Sequence, residues 1–284
     1  MKKTIYLLLA TLLLASCGGK ENDRRVITVT IEPLRYFVGQ LVGDKAEIVT
    51  MVPKGSSPET YEPTARQMVA LSKSMMFVKI GDLGFERALT EKTKSIAPEL
   101  TIVNTSEGLA AMESSSRGVT DQHTWMSCAN ALVIAKNIYD ALVVADKANS
   151  AYYEERYKAL TDKINKLDSD LSAMLEGVAG QAFIIYHPAL TYFAKEYGLR
   201  QLAVEEDGRE PSAASLAKVI DEAKANNVGM MLVQKEFDRR NAEIVVNELG
   251  GIDMKTIDPL SAKWDEEMRR IGGIIASQAK EDKD

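Results

Sequence analysis

Between Lys147 and Glu176 the chain runs for some thirty residues without proline or glycine, and Tyr153, Tyr157, Leu160, Ile164, Leu167, Leu171 and Met174 recur at intervals of three and four. That periodicity is the buried stripe of an α-helix. At 1.5 Å per residue the helix is roughly 45 Å long, enough to bridge two globular units. A coiled-coil arm carries the same signature, but only one such segment exists and βα patterns lie on both sides of it. Residues 147–178 are therefore expected to form a rigid connector, which limits hinge motion between the units it joins.

The flanking sequence has the same rhythm on either side. Residues 26–31, 47–52, 75–80 and 101–103 are short, apolar and rich in β-branched side chains, while 34–42, 65–73 and 85–94 repeat apolar residues at helical spacing. Beyond the connector, strand-like runs at 182–186, 201–204, 229–233 and 254–257 alternate with helical stretches at 188–197, 212–226, 241–249 and 263–279. Alternation of this kind predicts an α/β fold of two lobes, each a four-stranded parallel sheet flanked by helices, joined by one long backbone helix. The expected divisions are an N-terminal lobe over 26–146, the linking helix over 147–178 and a C-terminal lobe over 179–284. The halves share a pattern and no sequence self-similarity.

The first seventeen residues read as an address. Lys2 and Lys3 precede an apolar run from Ile5 to Leu14, too short to span a bilayer as a mature helix and of signal-peptide length. Leu14-Ala15-Ser16-Cys17 closes it and resembles the lipobox of bacterial lipoproteins, which implies lipidation at Cys17 and a membrane anchor facing the periplasm or the exterior. Residues 18–25 then form a short tether. Cys128 is left without a partner and reads as a small buried apolar residue. A formal charge of −6 with no long basic run argues against nucleic acid as a partner.

The chain has only two histidines, and both follow strand-like runs. His187 comes directly after Phe183-Ile184-Ile185-Tyr186; His123 sits in a polar loop, Asp121-Gln122-His123-Thr124-Trp125, ahead of a helix. In open α/β sheets ligands bind beyond the carboxyl ends of the strands. Glu59, in the loop after the second strand, and Asp258, at the end of the last, occupy equivalent places. Two imidazoles and two carboxylates suit Zn²⁺ or Mn²⁺ and are poor ligands for Cu(I). The twelve methionines are scattered and make no copper site.

Ser57-Pro58-Glu59-Thr60-Tyr61-Glu62-Pro63, Asp121-Gln122-His123-Thr124-Trp125, Tyr186-His187-Pro188-Ala189, Glu210-Pro211-Ser212 and Asp258-Pro259-Leu260 follow one another in a recognisable order. In order and spacing they resemble the zinc- and manganese-type solute-binding proteins of bacterial ABC importers, over nearly the whole chain beyond the export segment. The resemblance implies metal ligands at Glu59, His123, His187 and Asp258, a permease partner with an ATPase behind it, and a chain that works as a monomer. The family usually has histidine at the position of Glu59; Glu62 is an alternative ligand there, or a helix-capping carboxylate before Pro63. Residues 109–120 lack the His- and Asp-rich loop of many zinc-type members. Two histidines with two carboxylates lean towards manganese, whereas histidine at 187 and the greater affinity of nitrogen sites for Zn²⁺ favour zinc. Zn²⁺ is thus the expected cargo, with Mn²⁺ as the alternative.

Binding is expected and catalysis is not. No His-Glu-x-x-His, Gly-x-Ser-x-Gly or phosphate-binding glycine loop is present. A zinc-dependent hydrolase and a surface adhesin are the alternative roles. The run Glu205-Glu206-Asp207 with Arg209-Glu210 reads as a solvated loop near the cleft mouth, and Trp125 and Trp264 as core residues next to the ligand loops.

Overall fold

The structure, a computed structural model, describes residues 25–114, 119–205, 211–237 and 239–281. The export segment with Cys17, all of the tether but its last residue, and the charged residues 206–210 lie outside the described residues.

The chain begins β1 (Val26–Val29), α1 (Glu32–Val42), β2 (Glu47–Thr50), α2 (Ala65–Leu71), β3 (Met76–Lys79), α3 (Glu86–Ile96) and β4 (Thr101–Asn104). Two helices follow, α4 (Cys128–Ala145) and α5 (Ser150–Leu175). The second set is β5 (Ala182–Ile185), α6 (Thr191–Glu196), β6 (Arg200–Ala203), α7 (Ala213–Ala225), β7 (Met230–Gln234), α8 (Arg239–Glu248), β8 (Asp253–Ile257) and α9 (Trp264–Glu281). The strands form two sheets of identical order, β2-β1-β3-β4 and β6-β5-β7-β8, with every pair parallel. The central strands β3, β5 and β7 are buried at every residue, including the Lys79 that closes β3 and the Gln234 that closes β7, whereas the edge strand β2 is exposed at alternate positions.

The connector is a 26-residue helix that buries Tyr153, Leu160, Ile164, Leu167, Leu171 and Leu175; of the stripe read from the sequence, Tyr157 and Met174 are only half-buried, and Leu175 joins it. It starts later than expected, because Lys147–Asn149 forms a separate 3₁₀ turn. The cause is Asp146, whose carboxylate accepts from Asn149 Nδ2 and Tyr153 Oη, both at 2.7 Å, and pairs with Arg25. Burial works against that charge, but these partners hold the Asp146 carboxyl below the usual carboxylate range. The helix α6 is also shorter than expected: Pro188 and a turn in which Ala189 N–H donates to His187 O at 2.7 Å delay it to Thr191.

α5 packs against α1 and α4 on one side and α9 on the other. Residues on successive positions of β5 point to opposite faces, so Phe183 and Ile185 join α5, Trp264 and Ile271 in a core that continues into the N-terminal lobe. Ala182 and Ile184 face a second, smaller core with Leu202, Met231 and Val245. The spine is therefore packed into both lobes. Cys128 is 1% exposed and burial pushes its thiol up to about 12, so it behaves as the apolar filler expected from the sequence.

Candidate metal site

Both sheets turn their carboxyl edges towards the same space, and the loops leaving β2, β4 and β5 bring Glu59, His123 and His187 into one cluster. One potential ligand atom from each lies within 4.8 Å of the others. Each loop is pinned locally. Thr64 caps α2 in a capping box with Gln67, and Gln67 also takes Tyr61 Oη at 2.7 Å and donates to Met51 O at 2.8 Å, which sets the path of the Glu59 loop. Gly84, in the loop after β3, lies close beneath: a Cβ there would sit 3.0 Å from Glu59 O. His187 leaves β5 with its backbone held at both polar atoms by the Gln234 side chain.

The histidine rings are oriented by buried carboxylates. Asp121 Oδ1 accepts from His123 N–H at 2.7 Å and lies 2.9 Å from His123 Nδ1. Glu205 Oε2 lies 2.7 Å from His187 Nδ1. With Nδ1 committed in each ring, both Nε2 atoms turn inward, 3.3 Å apart, and His187 Nε2 is 3.1 Å from Glu59 Oε1. A Zn²⁺ ion bound tetrahedrally by two imidazoles at 2.0–2.1 Å separates their nitrogens by roughly 3.3 Å. The cluster thus has the spacing of a shared metal. The carboxylate-to-Nδ1 bonds are the outer partners that raise the basicity of a metal-binding imidazole.

Burial disfavours a charged His187, yet hydrogen bonds to Glu205 and Glu59 and their negative charge outweigh it and raise the imidazole to about 9. Burial would raise Asp121, but His123 keeps its carboxyl below the ordinary range. A chamber of about 30 Å³ lies at the cluster, lined also by Trp125, Phe237 and Leu260, and it has room for an ion.

Residues 27–272 match the family described as zinc-uptake complex component A periplasmic. The chain belongs to that family. It is 29% identical over 263 residues to the high-affinity zinc uptake system protein ZnuA of Bacillus subtilis (strain 168), covering 84% of this chain and 82% of the relative. The zinc-binding lipoprotein AdcA of Streptococcus pneumoniae (strain ATCC BAA-255 / R6) is 25% identical over 299 residues, which span 98% of this chain but 59% of AdcA. A crystal structure of ZnuA superposes with a TM-score of 0.85 at 33% identity, covering 90% of this chain and 99% of that one. Members of this zinc-uptake family are solute-binding proteins.

In this member of the zinc-uptake family, Asp258 stands apart from the other three expected ligands. Its Oδ2 is 2.7 Å from Lys235 Nζ, and it lines a neighbouring cavity of about 490 Å³ with Lys54, Lys235 and Lys263. Glu62 does not join the cluster; it lines an outward groove with Tyr61 and Lys92, and Thr64 takes the capping role considered for it. Glu205 is a correction to the sequence reading: it is 6% exposed and bonded to His187, not a solvated loop residue. Sheet register could have found it. Ile185 pairs with Ala203, so two residues on, His187 comes level with Glu205. Trp125 and Trp264 are buried as expected, and they also link the lobes: Trp125 Nε1 donates to Pro259 O at 2.8 Å and Trp264 Nε1 to Trp125 O at 2.7 Å.

Proposed function

We propose that this chain is the extracytoplasmic metal-capturing component of a bacterial ABC importer, which binds one divalent transition metal between its lobes and delivers it to a membrane permease powered by an ATPase. Glu59, His123 and His187 hold the ion, Asp258 is the fourth ligand, and zinc is the cargo in preference to manganese. The observation that carries this reading is the pair of inward-facing Nε2 atoms 3.3 Å apart beside the Glu59 carboxylate. Membership of the zinc-uptake family supports it. Zinc is favoured because imidazole nitrogens bind it well above manganese. The protein is a binder and not an enzyme, since its ligands close the coordination shell around an ion it must hand on. Lipid on Cys17 keeps it at the membrane, a modification that the mass of the exported chain tests directly.

The test is titration of the metal-stripped full chain with Zn²⁺ and Mn²⁺, beside His123→Ala and His187→Ala. One tight zinc equivalent, lost in both variants, is expected. Tight manganese with weak zinc reverses the cargo, and absence of binding removes the site.

A further inference from the structure

The expected fourth ligand is already occupied. Lys235 follows β7 and Asp258 follows β8; Gln234 pairs with Ile257, so the parallel register sets these two residues side by side. Lys235 N–H donates to Ile257 O at 3.2 Å, and Lys235 Nζ is 2.7 Å from Asp258 Oδ2. The backbone beneath the carboxylate is fixed. Asp258 N–H donates to Glu267 Oε1 at 2.7 Å, and Glu267 is itself gripped by Arg270 through both oxygens. With the Asp258 backbone held, a change of partner at its carboxylate falls to the two side chains, Asp258 and the exposed Lys235. Asp258 stands in the outer cavity, which shares Glu236 and Leu260 with the small chamber at Glu59, His123 and His187.

We infer that Lys235 is a built-in competitor for the fourth ligand: it holds the Asp258 carboxylate, yields it to the arriving metal and reclaims it as the metal leaves. This rests on the metal-site reading above. The Lys235 side chain is 59% exposed, and an exposed ion pair is weak. A divalent cation therefore displaces it readily, while the returning ammonium lowers the barrier to release. A carrier that must surrender its ion gains from such a competitor, because affinity is tuned mostly through dissociation.

The experiment measures zinc affinity by chelator competition, and zinc loss to excess chelator, on the full chain. Lys235→Met should bind zinc about three- to tenfold more tightly and release it more slowly by the same factor; Lys235→Gln, with equal thermal stability, guards against a folding effect. In an Asp258→Asn background the gain from Lys235→Met should disappear. The same gain in that background would reduce Lys235 to simple charge repulsion and overturn the proposal, as would no gain in either. Failure of the wild type to bind zinc, or full binding by His187→Ala, would instead remove the metal site itself.

Discussion

At the scale of single residues, the proposed metal site rests as much on the carboxylates that hold its histidines as on the proposed ligands themselves. Glu205 and Asp121 select the ring nitrogen that each histidine offers, so their loss should weaken zinc binding without abolishing it. Glu205→Ala is expected to lower zinc affinity by about 10- to 100-fold in chelator competition, and Glu205→Gln, which keeps an acceptor for Nδ1, by less. His187 also sets a pH dependence. Its imidazole is raised to about 9 from an ordinary value of 6.5 by the Glu205 and Glu59 carboxylates, so the folded state binds the proton more strongly than the unfolded chain. That contribution to stability is complete below about pH 6.5 and lost as pH rises through 9. The metal must expel the same proton, so zinc affinity should rise with pH over the same window, and zinc binding at pH 7.5 should release protons measurable in weakly buffered solution.

At the scale of elements, the contact between α9 and α5 is tight at one glycine, where an added atom would push Leu171 aside, and open at the next. A Cβ at Gly272 would fall 2.5 Å from Leu171 Cδ2, whereas one at Gly273 meets nothing nearer than Met174 Sδ at 3.9 Å. Gly272→Ala should therefore cost about 1–2 kcal/mol, overpacking outweighing the gain in helix propensity. Gly273→Ala should stabilise by about 0.5–1 kcal/mol. Urea midpoints of the two variants check the opposite signs.

At the scale of the whole molecule, the lobes are joined by more than the spine. Trp125 and Trp264 tie the His123 loop to Pro259 and to the start of α9, and Tyr192 Oη reaches from α6 to Asp121 O at 3.1 Å. Trp264→Phe leaves the carbonyl of Trp125 buried without its indole donor and should cost about 1–3 kcal/mol. Because that carbonyl lies two residues from His123, zinc affinity should fall with stability, which metal titration of the variant beside its thermal melt would reveal.

Local periodicity determined the elements. The 3–4 stripe of the connector, the largely apolar runs of β3, β5 and β7, and the placing of His187 just behind β5 are properties of neighbouring residues, and each had its counterpart in the fold, whereas His123 lies well beyond the end of β4 and is brought in by its loop. Tertiary structure alone decided which charges meet. Glu205 resembled a solvated run until the β5–β6 register set it against His187, and Asp258 stood level with the other expected ligands until the β7–β8 register gave it Lys235. The physical reason is that a side chain's propensity is written in its own stretch of chain, whereas an ion pair is chosen by the partner that sheet pairing brings within 3 Å, and that partner lies 18 or 23 residues away.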